Sequence, residues 1–318
     1  MSLCLLAVTL TFASACISQK PDNPPVSFSQ KQTNSICKDV LPAEEAVNRL
    51  TTKLENGLFG QPLATRTVVN SFKAHWSTEE TRKALVLFFH GSTGTGKSHT
   101  ANLIASSLFR ADTQSPSFVH ILGSAFENDD VARQKKVLLE RVRFAVQNCP
   151  RSVIVIDDAD HLGEGVLDAL LPMTEFHENV NSVDYRKSSF VIMSSAAGKE
   201  VNDIVIENRA VLRHELRLKD FEKRLTSAAF NTPGGLYKSQ LISRGAVDSF
   251  VPFFPLSRMH IEQCIREHLK HSGRHFDEGI VFDVISTLQF FHNDFASSGC
   301  KKVASRTDTR LLEEHDDL

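Results

Sequence analysis

The chain has 318 residues, 41% of them hydrophobic, enough for one large domain and a smaller one, and this excludes disorder throughout. Its 36 Lys and Arg stand against 38 Asp and Glu, so no one-signed field draws it to nucleic acid or an acidic membrane surface, and no nucleic-acid partner is expected.

Residues 1–15 hold an uncharged run from Leu3 to Phe12 followed by Ala13-Ser14-Ala15, a small-residue cleavage pattern that reads as a secretory signal peptide. The segment before the run lacks Lys and Arg and Cys16 follows directly, so a bacterial lipoprotein signal or an ordinary buried segment fits the same residues. No later stretch approaches the roughly 20 apolar residues that span a bilayer, and the rest of the chain is expected to be soluble or peripheral. Six cysteines (Cys4, Cys16, Cys37, Cys149, Cys264 and Cys300) are too few for a disulfide scaffold, so any disulfide is selective. No Asn-x-Ser/Thr acceptor is present, which neither supports nor refutes a secretory location.

Residues 16–43, rich in Pro, Ser, Gln and Lys, are expected to form a flexible lead-in, with folding starting near Ala43. A helix over 46–54 is followed by a Gly- and Pro-punctuated loop from Gly57 to Pro62 and by another helix running toward Phe72. Leu85 to His90 is a near-continuous apolar run, the pattern of a strand buried on both faces in a parallel sheet. Three more such runs follow at Phe118 to Leu122, 153–156 and 190–193. Helical stretches separate them, as over 131–149, where Leu138, Val142, Ala145 and Cys149 share a face. Alternating strands and helices imply a parallel α/β domain over residues 44–256.

Between the first strand and the helix after it stands Gly91-Ser92-Thr93-Gly94-Thr95-Gly96-Lys97-Ser98, the P-loop pattern in the context it requires. Its glycines let backbone N–H groups wrap a phosphate and the helix N-terminus adds partial positive charge. Lys97 would neutralise β and γ oxygens, and Ser98 can ligate magnesium. The third strand ends in Asp157-Asp158, which would bring Asp157 beside magnesium and Asp158 toward the attacking water; without the P-loop the pair would read as a solvated strand end or helix cap.

After Val251-Pro252-Phe253-Phe254-Pro255 the pattern becomes purely helical over residues 257–318, with Ile261, Cys264, Ile265 and His268 in one stripe and Val281, Val284, Ile285 and Leu288 in another. His260, Cys264, His268, His271 and His275 at helical spacings could be taken for metal ligands, but solvated histidines on an amphipathic helix are the preferred reading. The last residues, His315-Asp316-Asp317-Leu318, resemble the His-Asp-Glu-Leu retrieval signal of the endoplasmic reticulum, and an acidic solvated tail fits them equally.

With these pieces placed, the chain resembles the torsins, an AAA+ ATPase branch related to the Clp unfoldases, from about Asn48 nearly to the C-terminus. Beyond the P-loop, the likeness rests on Leu58-Phe59-Gly60-Gln61-Pro62-Leu63-Ala64 before the first strand and Phe250-Val251-Pro252-Phe253-Phe254-Pro255-Leu256 between the domains. It also rests on Gly299-Cys300-Lys301, similar to the sensor 2 motif peculiar to torsins. The resemblance implies an α/β AAA+ P-loop NTPase with a parallel central sheet flanked by helices, plus a small C-terminal helical domain. It implies ATP and Mg2+ as cofactors, held by Gly91, Ser92, Thr93, Gly94, Thr95, Gly96, Lys97, Ser98, His99 and Asp157, with magnesium on Ser98 and Asp157. Asp158 would position water, Ser195 (or Ser194 if the register slips) would stand at sensor 1, and Lys301 would report on the γ-phosphate. A Cys264 to Cys300 disulfide is implied too, coupling redox state to nucleotide affinity.

The likeness further implies a slow ATPase without an arginine finger, working as a chaperone-like remodeller in the endoplasmic reticulum lumen and perinuclear space. It would form homo-oligomers or mixed rings with a membrane-anchored lumenal adaptor of the lamina-associated polypeptide type, which supplies the missing arginine. Arg209 and Arg213 are the nearest in-chain candidates for that cation, with solvated surface arginines the preferred reading. Three positions depart from the family pattern, Ser98 toward magnesium binding and Asp158 and Ser195 away from catalysis, Ser195 standing where sensor 1 is usually Asn, with less reach to orient water. Ser98 replaces the usual Asn, which favours magnesium. Asp158 replaces Glu, shorter by about 1.5 Å, a displacement that can cost roughly a hundredfold in rate. A pseudo-ATPase scaffold is therefore the rival expectation, and a cytosolic AAA+ chaperone with an apolar N-terminal core segment a third.

Overall fold

The computed structural model describes residues 37–126, 129–274 and 277–316, with side chains to 313. The expected signal peptide, the first part of the lead-in, His275 and the end of the retrieval-like tail lie outside the described residues. Folding begins upstream of Ala43. A 3-10 turn at Cys37–Asp39 leads to Val40, which bridges Phe109, and to Leu41, whose N–H donates to Leu108 O at 2.9 Å and whose side chain is buried. Cys37 is disulfide-bonded to Cys149. Residues 37–42 thus belong to the large domain and correct the lead-in expectation; the adjacent pair Val40-Leu41 within a polar stretch carries no periodicity to announce packing.

Helix α1 (Ala43–Gly57) buries Ala46, Val47, Leu50 and Leu54 along one face, and α2 (Pro62–Trp76) opens on Pro62, whose missing N–H costs nothing in a first turn. The strands are β1 (Leu85–His90), β2 (Phe118–Leu122), β3 (Val153–Asp157), β4 (Ser189–Ser194) and β5 (Ser249–Pro252). They form one parallel sheet in the order β2-β3-β4-β1-β5. Apolar side chains on β1, β3 and β4 alternate between two cores because successive strand residues face opposite sides. Val86, Phe88, Ile154, Ile156, Phe190 and Ile192 pack against helices α4 (Val131–Asn148), α5 (Gly198–Glu207) and α6 (Lys219–Asn231). Leu87, Phe89, Val153, Val155, Val191 and Met193 pack against α1, α2 and α3 (Lys97–Leu108).

The small domain has its own core, built by Ile261, Ile265 and Leu269 of α7 (Arg258–His271), Ile280, Val281 and Val284 of α8 (Glu278–Ser286), and Val303 of α9 (Val303–Asp316). It is not purely helical. Phe290–Phe291 (β6) and Phe295–Ala296 (β7) pair as an antiparallel hairpin. A three-residue loop, 292–294, joins them, with His292 and Asn293 in the left-handed conformation at φ 47° and 66°. Among the described residues no helix is long and apolar enough to cross a membrane.

Candidate nucleotide site

The first strand delivers the chain to the glycine-rich loop at its C-terminal end, and α3 starts at Lys97 with Gly96 as its N-cap at φ 109°. The loop is braced from three sides. Thr95 Oγ1 donates to Ser92 O at 2.8 Å, Asn202 Nδ2 of α5 donates to Ser92 Oγ at 3.0 Å, and Gln61 Nε2 donates to Thr95 O at 3.0 Å. The Gln61 amide is buried and also bonds Phe254 twice, donating to its O at 2.8 Å and accepting from its N at 2.7 Å. One side chain therefore ties the phosphate loop to the segment that leaves β5. In the sequence Gln61 stands only as the middle residue of Gly60-Gln61-Pro62, which marks a loop and gives the side chain no role.

Lys97 is 9% exposed and folds back over the loop, its Nζ donating to Gly91 O and, at 3.1 Å, to Ser92 O. Burial pushes its ammonium down to about 8 against the pull of Asp157, Asp158 and Asp160, and Lys301 adds to the lowering. Ser98 Oγ donates to Asp157 Oδ2 at 2.7 Å, so the two expected magnesium ligands already meet. Burial raises the Asp157 carboxyl pKa, but contact with His120 and bonds from Ser98 and the Asp158 N–H outweigh it, and Asp157 stays ionised. A hydroxyl and an ionised carboxylate are hard oxygen donors, the set magnesium prefers.

His120 Nε2, on the neighbouring strand β2, lies 3.7 Å from Asp157 Oδ2. Asp158 takes the left-handed conformation at φ 50°, and its Oδ2 accepts from Ser124 Oγ at 3.2 Å. Its backbone passes so close to Gly123 that a Cβ there would meet Asp158 O at 2.2 Å. His120 and Ser124 were not expected, since a polar residue on a short edge strand and a Ser in a single 3-10 turn, Gly123–Phe126, carry no pattern. Of the two serines weighed for sensor 1, only Ser195 reaches the cleft. Ser194 is buried in the sheet and its Oγ accepts from Ala196 N at 3.0 Å, whereas Ser195 lines the cleft.

From the small domain, the Gly299-Cys300-Lys301 turn seats directly on the loop, the Cys300 N–H donating to Gly94 O at 3.0 Å. Both glycines at this contact are needed. Gly94 has φ 79° and a Cβ on it would meet Ser298 O at 2.0 Å; Gly299 has φ 49° and a Cβ would meet Gly94 O at 2.2 Å. Cys264 and Cys300 are disulfide-bonded, and both sulfur-bearing residues line the cleft with the exposed Lys301.

The resulting cleft measures about 740 Å³, within the roughly 300–1,000 Å³ that small-molecule sites occupy. Thr93, Gly94, Thr95, Gly96, Lys97, Ser98 and His99 line it together with Asp157, Asp158, Ser195 and Lys301. Gly91 and Ser92 sit behind this lining, as acceptors for Lys97. His99 Nε2 bonds Gly57 O at 3.0 Å and holds α3 to the end of α1.

The histidines of α7 gather no metal set among the described residues. His268 Nε2 is 2.7 Å from Asp308, His271 Nδ1 is 3.3 Å from Glu267, and His260 caps the helix at Ser257. Arg209 is exposed, as expected, but Arg213 is not a free surface arginine. Its Nη1 donates to Gly60 O at 3.1 Å and its Nη2 to Pro255 O at 2.7 Å, with its guanidinium facing the rings of Phe254 and Phe295. The aromatic and carbonyl partners come from segments distant in sequence, so nothing local marked the change.

A family model described as Torsin matches residues 32–156. A Torsin-like protein of Caenorhabditis elegans is 38% identical over 274 residues, covering 83% of this chain and 77% of the relative. A Torsin-like protein of Drosophila melanogaster is 30% identical over 272 residues, covering 82% and 80%. Among solved structures, the S. cerevisiae Hsp104-ADP complex is similar with a TM-score of 0.63 at 15% identity, covering 88% of this chain and 49% of that one. The chain spans about half the length of that structure, and a likeness at this identity is one of fold.

Proposed function

The chain belongs to the torsin family and has the α/β fold of AAA+ proteins, and on that premise we propose that it is a slow, adaptor-activated ATPase of the endoplasmic reticulum lumen and perinuclear space that remodels proteins or membranes. The observation that carries this reading is the meeting of Lys97, the Ser98–Asp157 pair and the Lys301 turn around one cleft. The loop N–H groups and Lys97 would bind the phosphates, Ser98 and Asp157 would hold magnesium, and Lys301 would lie toward the γ-phosphate. Magnesium, when bound, supplies charge neutralisation of the β and γ oxygens. Asp158, braced by Ser124, would orient the attacking water with help from Ser195. No arginine reaches the cleft lining among the described residues, which supports a cation delivered by a partner, a membrane-anchored lumenal adaptor of the lamina-associated polypeptide type. Two disulfides support an oxidising compartment.

A specific observation favours a second reading. Asp158 is one methylene short of Glu and its carboxylate is engaged by Ser124, so the cleft could retain ATP without turning it over and serve as a nucleotide-locked scaffold. Single-turnover hydrolysis with and without the adaptor's lumenal domain separates the two, using Lys97→Ala as control. Adaptor-dependent phosphate release lost in the control supports the enzyme. Tight binding without release, converted to release by Asp158→Glu, supports the scaffold.

A further inference from the structure

The interface between the two domains is held by a cation that the nucleotide chemistry does not use. Arg213 follows α5, and it touches three separated pieces of the chain. Its bonds to Gly60 O and Pro255 O join the segment before α2 to the exit of β5. Its guanidinium carbon lies 5.9 Å from the ring centroid of Phe254 in the large domain and 5.7 Å from that of Phe295 on β7. The hairpin carrying Phe295 is anchored at the same junction, Ala296 N donating to Leu256 O at 2.8 Å and Phe295 bridging Ser257.

From Ala296 the chain runs within four residues to Cys300. Gly299 N donates to Ala296 O at 3.2 Å, Cys300 N donates to Gly94 O at 3.0 Å, and Lys301 N donates to Ser298 O at 3.1 Å. A continuous path of hydrogen bonds and ring contacts therefore leads from Arg213 to the turn seated on the phosphate loop. Only a guanidinium fits this role, because its planar fork satisfies two carbonyls while its faces meet aromatic rings; an ammonium or an amide does one or the other.

We propose that Arg213 is a positioning residue for the nucleotide, clamping the β6–β7 hairpin to the domain junction so that the Gly299-Cys300-Lys301 turn stays docked on Gly94 and Lys301 stays at the cleft. The proposal rests on the reading that the cleft binds ATP. It is distinct from catalysis by arginine, since Arg213 faces carbonyls and rings rather than the cleft lining.

Two readouts on the full chain test it. The first is amide hydrogen exchange in the absence of nucleotide. Arg213→Gln should speed exchange at Cys300 by about tenfold or more while the β1–β4 amides keep wild-type protection, the mark of a local opening. Unchanged protection at Cys300 overturns the proposal whether or not ATP binds. The second is a double-mutant cycle on the affinity of a fluorescent ATP analogue. Arg213→Gln and Lys301→Ala should each weaken binding, with an expected loss on the order of tenfold for Arg213→Gln, and the double variant should be no weaker than Lys301→Ala alone. Additive losses overturn the coupling. Absence of any binding to the wild-type chain sinks the ATP reading instead and leaves the exchange result to decide the clamp. If Arg213→Gln does not fold, Phe295→Leu, which removes the ring but keeps apolar volume, takes its place in both experiments with the same expected and overturning results.

Discussion

Replacing Gly299 by Ala should undock the small-domain turn from the phosphate loop, and the effect can be worked from the contact itself. The new methyl would stand 2.2 Å from Gly94 O and 2.5 Å from Gly94 C, both backbone atoms that cannot swing aside. Restoring ordinary contact requires the two segments to part by more than about 1 Å, which takes the Cys300 N–H to Gly94 O bond from 3.0 Å out of hydrogen-bonding range. Loss of that bond costs about 1 kcal/mol, and the left-handed φ of 49° costs an alanine about 1 kcal/mol more. Gly273→Ala is the matched control, because Gly273 has φ 65° and nothing within 4 Å of a new Cβ, so it carries the backbone cost alone. Affinity for an ATP analogue, measured by fluorescence titration beside thermal melting, should fall about tenfold in Gly299→Ala and stay near wild type in Gly273→Ala. Equal affinities in the two variants would refute the claim that docking of this turn governs the phosphate site.

Gln61→Ala should destabilise the large domain by about 3 kcal/mol, a Tm loss of roughly 6–12 °C, because it strands Thr95 O and both backbone groups of Phe254 in a buried site; thermal denaturation checks it. Lys97 ordinarily titrates at 10.5 and is lowered to about 8 in the fold, so between these values the unfolded chain binds more protons and stability rises with pH. Nucleotide-free wild type should therefore gain about 3 kcal/mol from pH 8 to 10.5 relative to Lys97→Met, in which that part of the pH dependence vanishes in denaturant titrations. Breaking the Cys37–Cys149 disulfide, which closes a separation of 112 residues, by paired substitution to Ser should cost about 4 kcal/mol in the same measurement.

The parts of the fold that depend on local pattern were legible in the sequence. Leu85–His90 and Phe118–Leu122 are strands with the expected limits, and β3 and β4 extend one residue or so beyond the expected apolar runs because Asp157, Ser189 and Ser194 are polar yet remain in the ladder. What pattern could not show depends on tertiary partners. β5 is four residues long and ends in Pro252, which an edge strand tolerates because its other side has no ladder to complete. The β6–β7 hairpin is two residues on each strand, too short for an alternation to register. Within the site, Lys97, Ser98, Asp157 and Ser195 gather as their motifs imply. The braces supplied by Gln61, Ser124 and Asn202 come from elsewhere in the chain and carry no spacing of their own. The same reason hid the Cys37–Cys149 pair, since Cys149 closes the apolar face of α4 and reads as packing until its partner is placed.

If this cleft is a nucleotide site, its glycine-rich loop and the Ser98–Asp157 pair must govern what it binds. The most direct measurement is equilibrium titration of the full chain with ATP, with and without magnesium, beside Lys97→Ala and Asp157→Asn. Saturable binding that magnesium strengthens, that Lys97→Ala abolishes and that loses its magnesium dependence in Asp157→Asn is the predicted result. Binding indifferent to Lys97 and to magnesium, or no binding at all, would contradict it.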